Sequence, residues 1–202
     1  MDTHRIRQIL HPEHTLQPDE WKGAVLFLFN QEHVFFIKRS ETMPTHSGQI
    51  AFIGGLKKHD ELNPWKVIKR EFEEESGLNS QVLNFLGYLP VVRTARLWPI
   101  IPVMAELLIS TDQFIKEIKT NGEWDECLAY SWRELKVEAN WDYGWRCGSE
   151  KFPILFHPMR KETYISKNHH SQTHLLWGAT AYVVWDFLHL YYGQLESYTN
   201  QT

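Results

Sequence analysis

HSGQIAFIGGLKKHDELNPWKVIKREFEEESGL, residues 46–78, holds one helix with both of its ends marked. Asn63 is a side-chain cap for the first turn, and Pro64 suits the first helical position, where its missing N–H costs nothing. Gly77 takes the positive φ that stops a helix. Trp65, Ile68 and Phe72 recur at helical spacing and are expected to face a core. At about 100° per residue, Glu71, Glu74 and Glu75 fall within an arc of roughly 100°, an acidic stripe beside the apolar one. Glu71 and Glu75 are a like-charge pair four residues apart, which costs a helix roughly 0.2–0.5 kcal/mol. An isolated acidic run is ordinarily a solvated face. Crowded carboxylates become favourable when a hard divalent cation lies among them, because Mg²⁺ takes oxygen ligands and bridges to phosphates.

The residues around the stripe favour the cation. Their pattern is Gly55-x5-Glu61-x8-Arg70-Glu71-Phe72-x-Glu74-Glu75-x-Gly77-Leu78. It resembles the Nudix box, G-x5-E-x7-R-E-U-x-E-E-x-G-U with U an apolar residue. One extra residue stands between Glu61 and Arg70, which shifts Glu61 in register; from Arg70 onward the match is complete. Upstream, Lys38-Arg39-Ser40 and His46-Ser47-Gly48-Gln49-Ile50-Ala51-Phe52, leading into Gly54-Gly55, resemble the signature of the coenzyme A pyrophosphatase branch of Nudix hydrolases. Ile53 replaces that branch's usual proline. Downstream, Thr94, Ile100, Pro102 and Val103 fit the branch, while Arg96-Leu97-Trp98 stands where it carries Ser-Gly-Phe. Leu176-Trp177-Gly178-Ala179-Thr180-Ala181 resembles its closing segment.

The resemblance implies an α/β fold, the Nudix α/β/α sandwich with a central mixed sheet. It implies divalent-metal-dependent hydrolysis of a phosphoanhydride in a nucleoside diphosphate linked to another group. Coenzyme A or acyl-coenzyme A would yield 3′,5′-ADP and a phosphopantetheine. Glu71, Glu74, Glu75 and the Gly55 carbonyl are then the ligands of Mg²⁺ or Mn²⁺, and Arg70 orients a box carboxylate. A glutamate outside the box completes the metal site: Glu123 fits best, with Asp125 and Glu126 as rivals. The general base is a box carboxylate or Glu123. Lys38 and Arg39 are charge-complementary to a polyphosphate, or solvated at a strand end. His46 and Gln49 contact substrate or close their own loop. Arg96 adds a cation and Trp98 a stacking face. The alternatives are an ADP-ribose or nucleotide-sugar pyrophosphatase, and a Nudix-fold nucleotide-binding protein that does not cleave.

Composition narrows the field further. The chain has 202 residues, enough for one domain with a real core. Its net charge of −4 and lack of a basic block argue against a nucleic-acid partner. A small nucleotide is the expected partner, with a homodimer left open. Cys127 and Cys147 form no CxxC pair and read as free thiols in a reducing compartment. MDTHRIRQILHPEHT has no apolar stretch of a secretory signal, and no apolar run approaches the ~20 residues of a membrane span, so a cytoplasmic protein is expected.

Residues 1–20 read as an N-terminal extension with a short helix, and 21–202 as the catalytic domain. Strands are expected at 24–30, 33–38, 50–53, 82–89, 100–108, 127–132, 152–156 and 162–166. Helices are expected at 111–119 and 175–193. His169, His170 and His174 lack the regular spacing of a zinc site and read as a solvated loop.

Overall fold

The computed structural model describes residues 1–14, 16–93, 98–146, 152–160, 164–166 and 173–193. Thr94, Arg96, Cys147, His169 and His170 lie outside them. A short helix α1 (Thr3–Ile9), capped by the Asp2 carboxylate, precedes the apolar strand β1 (Gly23–Phe29) and its partner β2 (His33–Arg39). The two strands pair only at Phe29 and Val34 and splay apart beyond. The gap is filled by β3 (Ile50–Ala51) against β2 and β4 (Ile53–Leu56) against the first half of β1. The expected strand at 50–53 is therefore two strands, and the second carries Gly54-Gly55 into the sheet. The marked helix follows as α2 (Pro64–Ser76).

Next come β5 (Leu83–Tyr88), β6 (Val92–Arg93), β7 (Pro99–Leu107) and helix α3 (Thr111–Glu117), capped by Ser110. Then follow β8 (Trp124–Ser131), the one-turn helix α4 (Trp132–Leu135), β9 (Asp142–Arg146), β10 (Phe152–Met159), β11 (Tyr164–Ser166), β12 (His174–Trp177) and α5 (Gly178–Tyr192). The main sheet runs β11-β8-β2-β1-β7-β5. Among the described residues only the β1–β7 pairing is parallel, so the sheet is mixed; β9, β10 and β12 form a second, three-stranded sheet.

Alternation along the strands makes two cores. Leu26, Leu28, Phe35 and Ile37 pack with Val67, Ile68 and Phe72 of α2 and Phe114 of α3. Phe27, Phe29 and Phe36 pack on the other face with Phe187 of α5, Trp132 and the second sheet. This is the expected α/β/α sandwich. Ile6 and Leu10 join the α5-side core, and His11 bridges to Tyr88, so the N-terminal segment is packed onto the sheet. Among the described residues, no helix is long and apolar enough to cross a membrane.

The buried apolar stripe of α2 is Pro64, Val67, Ile68 and Phe72, and Trp65 packs half-buried at its edge against Phe85. Two expectations are corrected. The last helix begins at Gly178, because Leu175–Trp177 pair with β10 and Gly178 at φ +66° makes the turn between strand and helix. His174 is buried beside Glu126, not solvated.

Phe72→Ala empties the core between α2 and α3 and is expected to destabilise the protein by about 3–5 kcal/mol in chemical denaturation. Leu62→Ala, at 61% exposure, should stay within about 0.5 kcal/mol.

Candidate functional site

Helix α2 is fixed at both ends, and this sets where its carboxylates point. The Asn63 side chain accepts from the Trp65 N–H at 2.8 Å and from the Tyr88 hydroxyl at 3.1 Å. Gly77 at φ +67° closes the helix, where any side chain would be strained. The buried Trp124 indole N–H donates to the Glu75 carbonyl at 2.9 Å and ties the last turn to β8.

Arg70 is the centre of the site. Its guanidinium binds Glu61 at 2.7 and 3.0 Å, a two-pronged pair that survives the extra residue between them because the loop before α2 absorbs it. The same group donates to Glu71 at 2.8 Å, Glu74 at 3.0 Å and the Leu56 carbonyl at 3.1 Å. Hydrogen bonding from Arg70 holds the Glu61 carboxyl below its usual range. Glu74 is half-exposed and also reaches Lys58 at 3.3 Å.

Glu75 sits differently. It is 3% exposed, and its Oε1 accepts from the Gly54 N–H at 3.1 Å. Burial pushes its pKa up to about 8, with Glu71 and Glu123 adding and Gly54 and Arg39 opposing. Burial also raises the Glu71 carboxyl, against the pull of Arg70 and with Glu74 and Glu123 reinforcing. A Cβ placed on Gly55 would come within 2.1 Å of the Glu71 carboxylate, so only glycine leaves room for it there. The Gly55 carbonyl lies against Gly23.

A β-bulge sorts the three acids outside the box. Lys38 pairs with Glu126 and Arg39 with Trp124, leaving Asp125 as the extra residue. Asp125 accepts from the Glu41 N–H at 3.3 Å. Glu126 is turned to the α5 side, 1% exposed, with Ser166 at 2.5 Å and His174 at 3.2 Å. The charge of Glu123 raises both Glu71 and Glu75.

The other sequence candidates are placed as follows. Arg39 lies close enough to Glu75 to lower its pKa, and its buried Nε has no hydrogen-bond partner among the described residues. Lys38 is ion-paired with Glu41 at 3.1 Å. His46, at φ +57°, shares a 3.1 Å hydrogen bond with Gln49, and the Arg39 backbone donates its N–H to the Gln49 carbonyl at 2.9 Å and accepts from the Gly48 N–H at 3.1 Å. Trp98 is 40% exposed just before β7. Sequence reasoning missed Trp124 and Lys58. Nothing in their spacing marks them; the register of β8 and the loop before α2 bring them in.

This donor set fits a hard divalent cation. It is all oxygen, its carboxylates raise one another's proton affinity, and it is cleared of side chains at Gly55. Among the described residues no three such groups are already drawn together around one point; Glu74 is held outward by Arg70 and Lys58.

Because Glu75 holds its proton more tightly folded than unfolded, metal-free protein should lose stability as pH rises from about 4.5 to 8. Glu75→Gln should then melt at least ~2–4 °C above wild type at pH 8 in EDTA, with the gap closing at pH 5. Melting curves at both pH values check this, and equal melting at pH 8 would contradict it.

The NUDIX domain family model matches residues 20–148. Nudix hydrolase 22, chloroplastic, of Arabidopsis thaliana is 33% identical over 91 residues, 43% of this chain and 30% of that protein. Nudix hydrolase 15, mitochondrial, of the same plant is 33% identical over 98 residues, 45% of this chain and 34% of that protein. The chain thus spans about a third of the length of these curated relatives. A MutT/nudix family protein from Enterococcus faecalis superposes with a TM-score of 0.46 at 14% identity, covering 86% of this chain and 63% of that one. With the family model spanning more than half of its residues, and the box from Arg70 to Leu78 intact, the chain belongs to the NUDIX domain family.

Proposed function

We propose that this chain is a divalent-metal-dependent pyrophosphatase of a nucleoside diphosphate linked to a second group, with coenzyme A or acyl-coenzyme A as substrate. The observation that carries the reading is the α2 stripe. Glu75 is buried with a pKa pushed up to about 8, Glu71 is raised beside it, and Arg70 braces Glu71 and Glu74 from outside. A protein that had lost catalysis would keep this repulsion with nothing to offset it.

Glu71, Glu74, Glu75 and Glu123 would hold Mg²⁺ or Mn²⁺. When bound, the ion supplies charge neutralisation on the phosphates and lowers the pKa of a bound water. The chain's own residues do the rest. Arg70 fixes the rotamers of Glu71 and Glu74, a positioning role. Arg39, with its Nε unmatched beside Glu75, supplies a fork for a phosphate oxygen. Glu123, whose charge raises both Glu71 and Glu75, would take a proton from an attacking water. Lys38, already paired with Glu41, contributes less to phosphate affinity than Arg39.

Arg96-Leu97-Trp98, replacing the branch's Ser-Gly-Phe, favours a second reading in which ADP-ribose or a nucleotide sugar is the substrate. Turnover of coenzyme A, ADP-ribose and UDP-sugars with Mg²⁺, with products identified by mass spectrometry in ¹⁸O-water, separates the two. Turnover of none would leave a nucleotide-binding protein. Glu74→Gln and Glu75→Gln should each lower kcat by about 10²–10³ while circular dichroism stays native. Wild-type turnover in both would remove the stripe from the chemistry.

A further inference from the structure

Two cations hold the Glu74 carboxylate, and they are not equivalent. Arg70 Nη1 donates to Glu74 Oε2 at 3.0 Å, and the Lys58 ammonium donates to Glu74 Oε1 at 3.3 Å. Arg70 has no donor to spare. Its five N–H groups meet five acceptors: both oxygens of Glu61, the Leu56 carbonyl, Glu71 Oε1 and Glu74 Oε2. Its side chain is only 19% exposed. The Lys58 side chain is 59% exposed, and its one ion pair among the described residues is to Glu74.

The Lys58 backbone is pinned to the same brace. Its N–H donates to Glu61 Oε2 at 2.6 Å, and its carbonyl accepts from the Glu61 N–H at 3.1 Å. Glu61 is itself held by Arg70 on both oxygens. One guanidinium therefore fixes the carboxylate and also the foot of the lysine that covers it. Arg70 Nη1 bonds one oxygen of Glu71 and one of Glu74, so the two acids lie side by side across a single nitrogen. Each keeps a second oxygen, and on Glu74 that oxygen is under the Lys58 ammonium.

We propose that Lys58 is a positioning residue for Glu74: its ammonium occupies the oxygen that a divalent cation would take, and it leaves when Glu74 joins the metal site, with the Arg70 bond to the other oxygen as the pivot. This rests on the metal-dependent reading above and deepens it. Lys58 is the cation that yields, because an exposed pair between two flexible side chains is weak while a five-bonded guanidinium is not easily displaced. Mg²⁺ brings two charges to the same oxygen. Lys58 thus lowers metal affinity, and in the metal-free protein it compensates the Glu74 charge beside Glu71.

The test is calorimetric titration with Mg²⁺, without substrate, of wild type, Lys58→Met, Lys58→Arg and Lys57→Met. Lys57 is the charge control, since its ammonium lies 4.6 Å over the Trp21 ring. Removing an exposed competitor should tighten Mg²⁺ binding about twofold to fivefold in Lys58→Met, beyond any change in Lys57→Met. Lys58→Arg, which can restore the pair, should bind Mg²⁺ as wild type does. With Glu74→Gln already in place, adding Lys58→Met should do no more than adding Lys57→Met, because the pair is gone. A lysine that only supported the fold would weaken Mg²⁺ binding on removal, the opposite sign. Equal affinity in Lys58→Met and Lys57→Met, or weaker binding in Lys58→Met than in wild type, would overturn the role. Mg²⁺ that binds none of these proteins would sink the metal site itself and this role with it, a failure distinct from equal binding by all.

Discussion

The Arg70 guanidinium sets the geometry of the acidic stripe. It takes both oxygens of Glu61, one each from Glu71 and Glu74, and the Leu56 carbonyl, so one planar fork joins helix, strand and loop. Such a pair in a partly buried setting is weak as a source of stability, since desolvation offsets much of the attraction. Its value is angular. With Glu71 pulled toward Arg70 and Glu75 held by Gly54, two carboxylates of one helix are parted and aimed. Glu75 is accommodated by keeping its proton, since burial pushes its pKa up to about 8.

The rest of the fold serves that arrangement. The splayed β1–β2 hairpin makes room for β4, and β4 brings Gly54 and Gly55 against α2. The bulge at Asp125 lets Trp124 face α2 and anchor its last turn while Glu126 turns away to Ser166 and His174. A single inserted residue thus parts Glu123, whose charge reaches the α2 carboxylates, from Glu126 of the far core.

Much of this was legible in the amino-acid order because α2 announces itself. Its cap, its proline and its stop are local signals, and the structure reproduces them residue for residue. The sandwich was implied by the family resemblance, and the apolar runs at 24–30 and 33–38 marked its first two strands. What was not legible is what strand pairing decides. Glu61 sits out of register in the sequence yet meets Arg70, because a loop can take up one residue at little cost. Asp125 and Glu126 stood as rivals to Glu123, because a bulge leaves no mark in composition. Leu175–Trp177 read as helix because an apolar run of that length does not distinguish helix from strand until its partner is known.

The central claim is that these carboxylates are tolerable together because a divalent cation joins them. Calorimetric titration with Mg²⁺ at pH 7 in two buffers of different ionisation enthalpy tests it most directly, since it counts protons released as well as ions bound. The account predicts saturable binding with close to one proton displaced, from Glu75, and no displacement in Glu75→Gln. Mg²⁺ that fails to bind, or binds wild type and Glu75→Gln alike without releasing a proton, would contradict it.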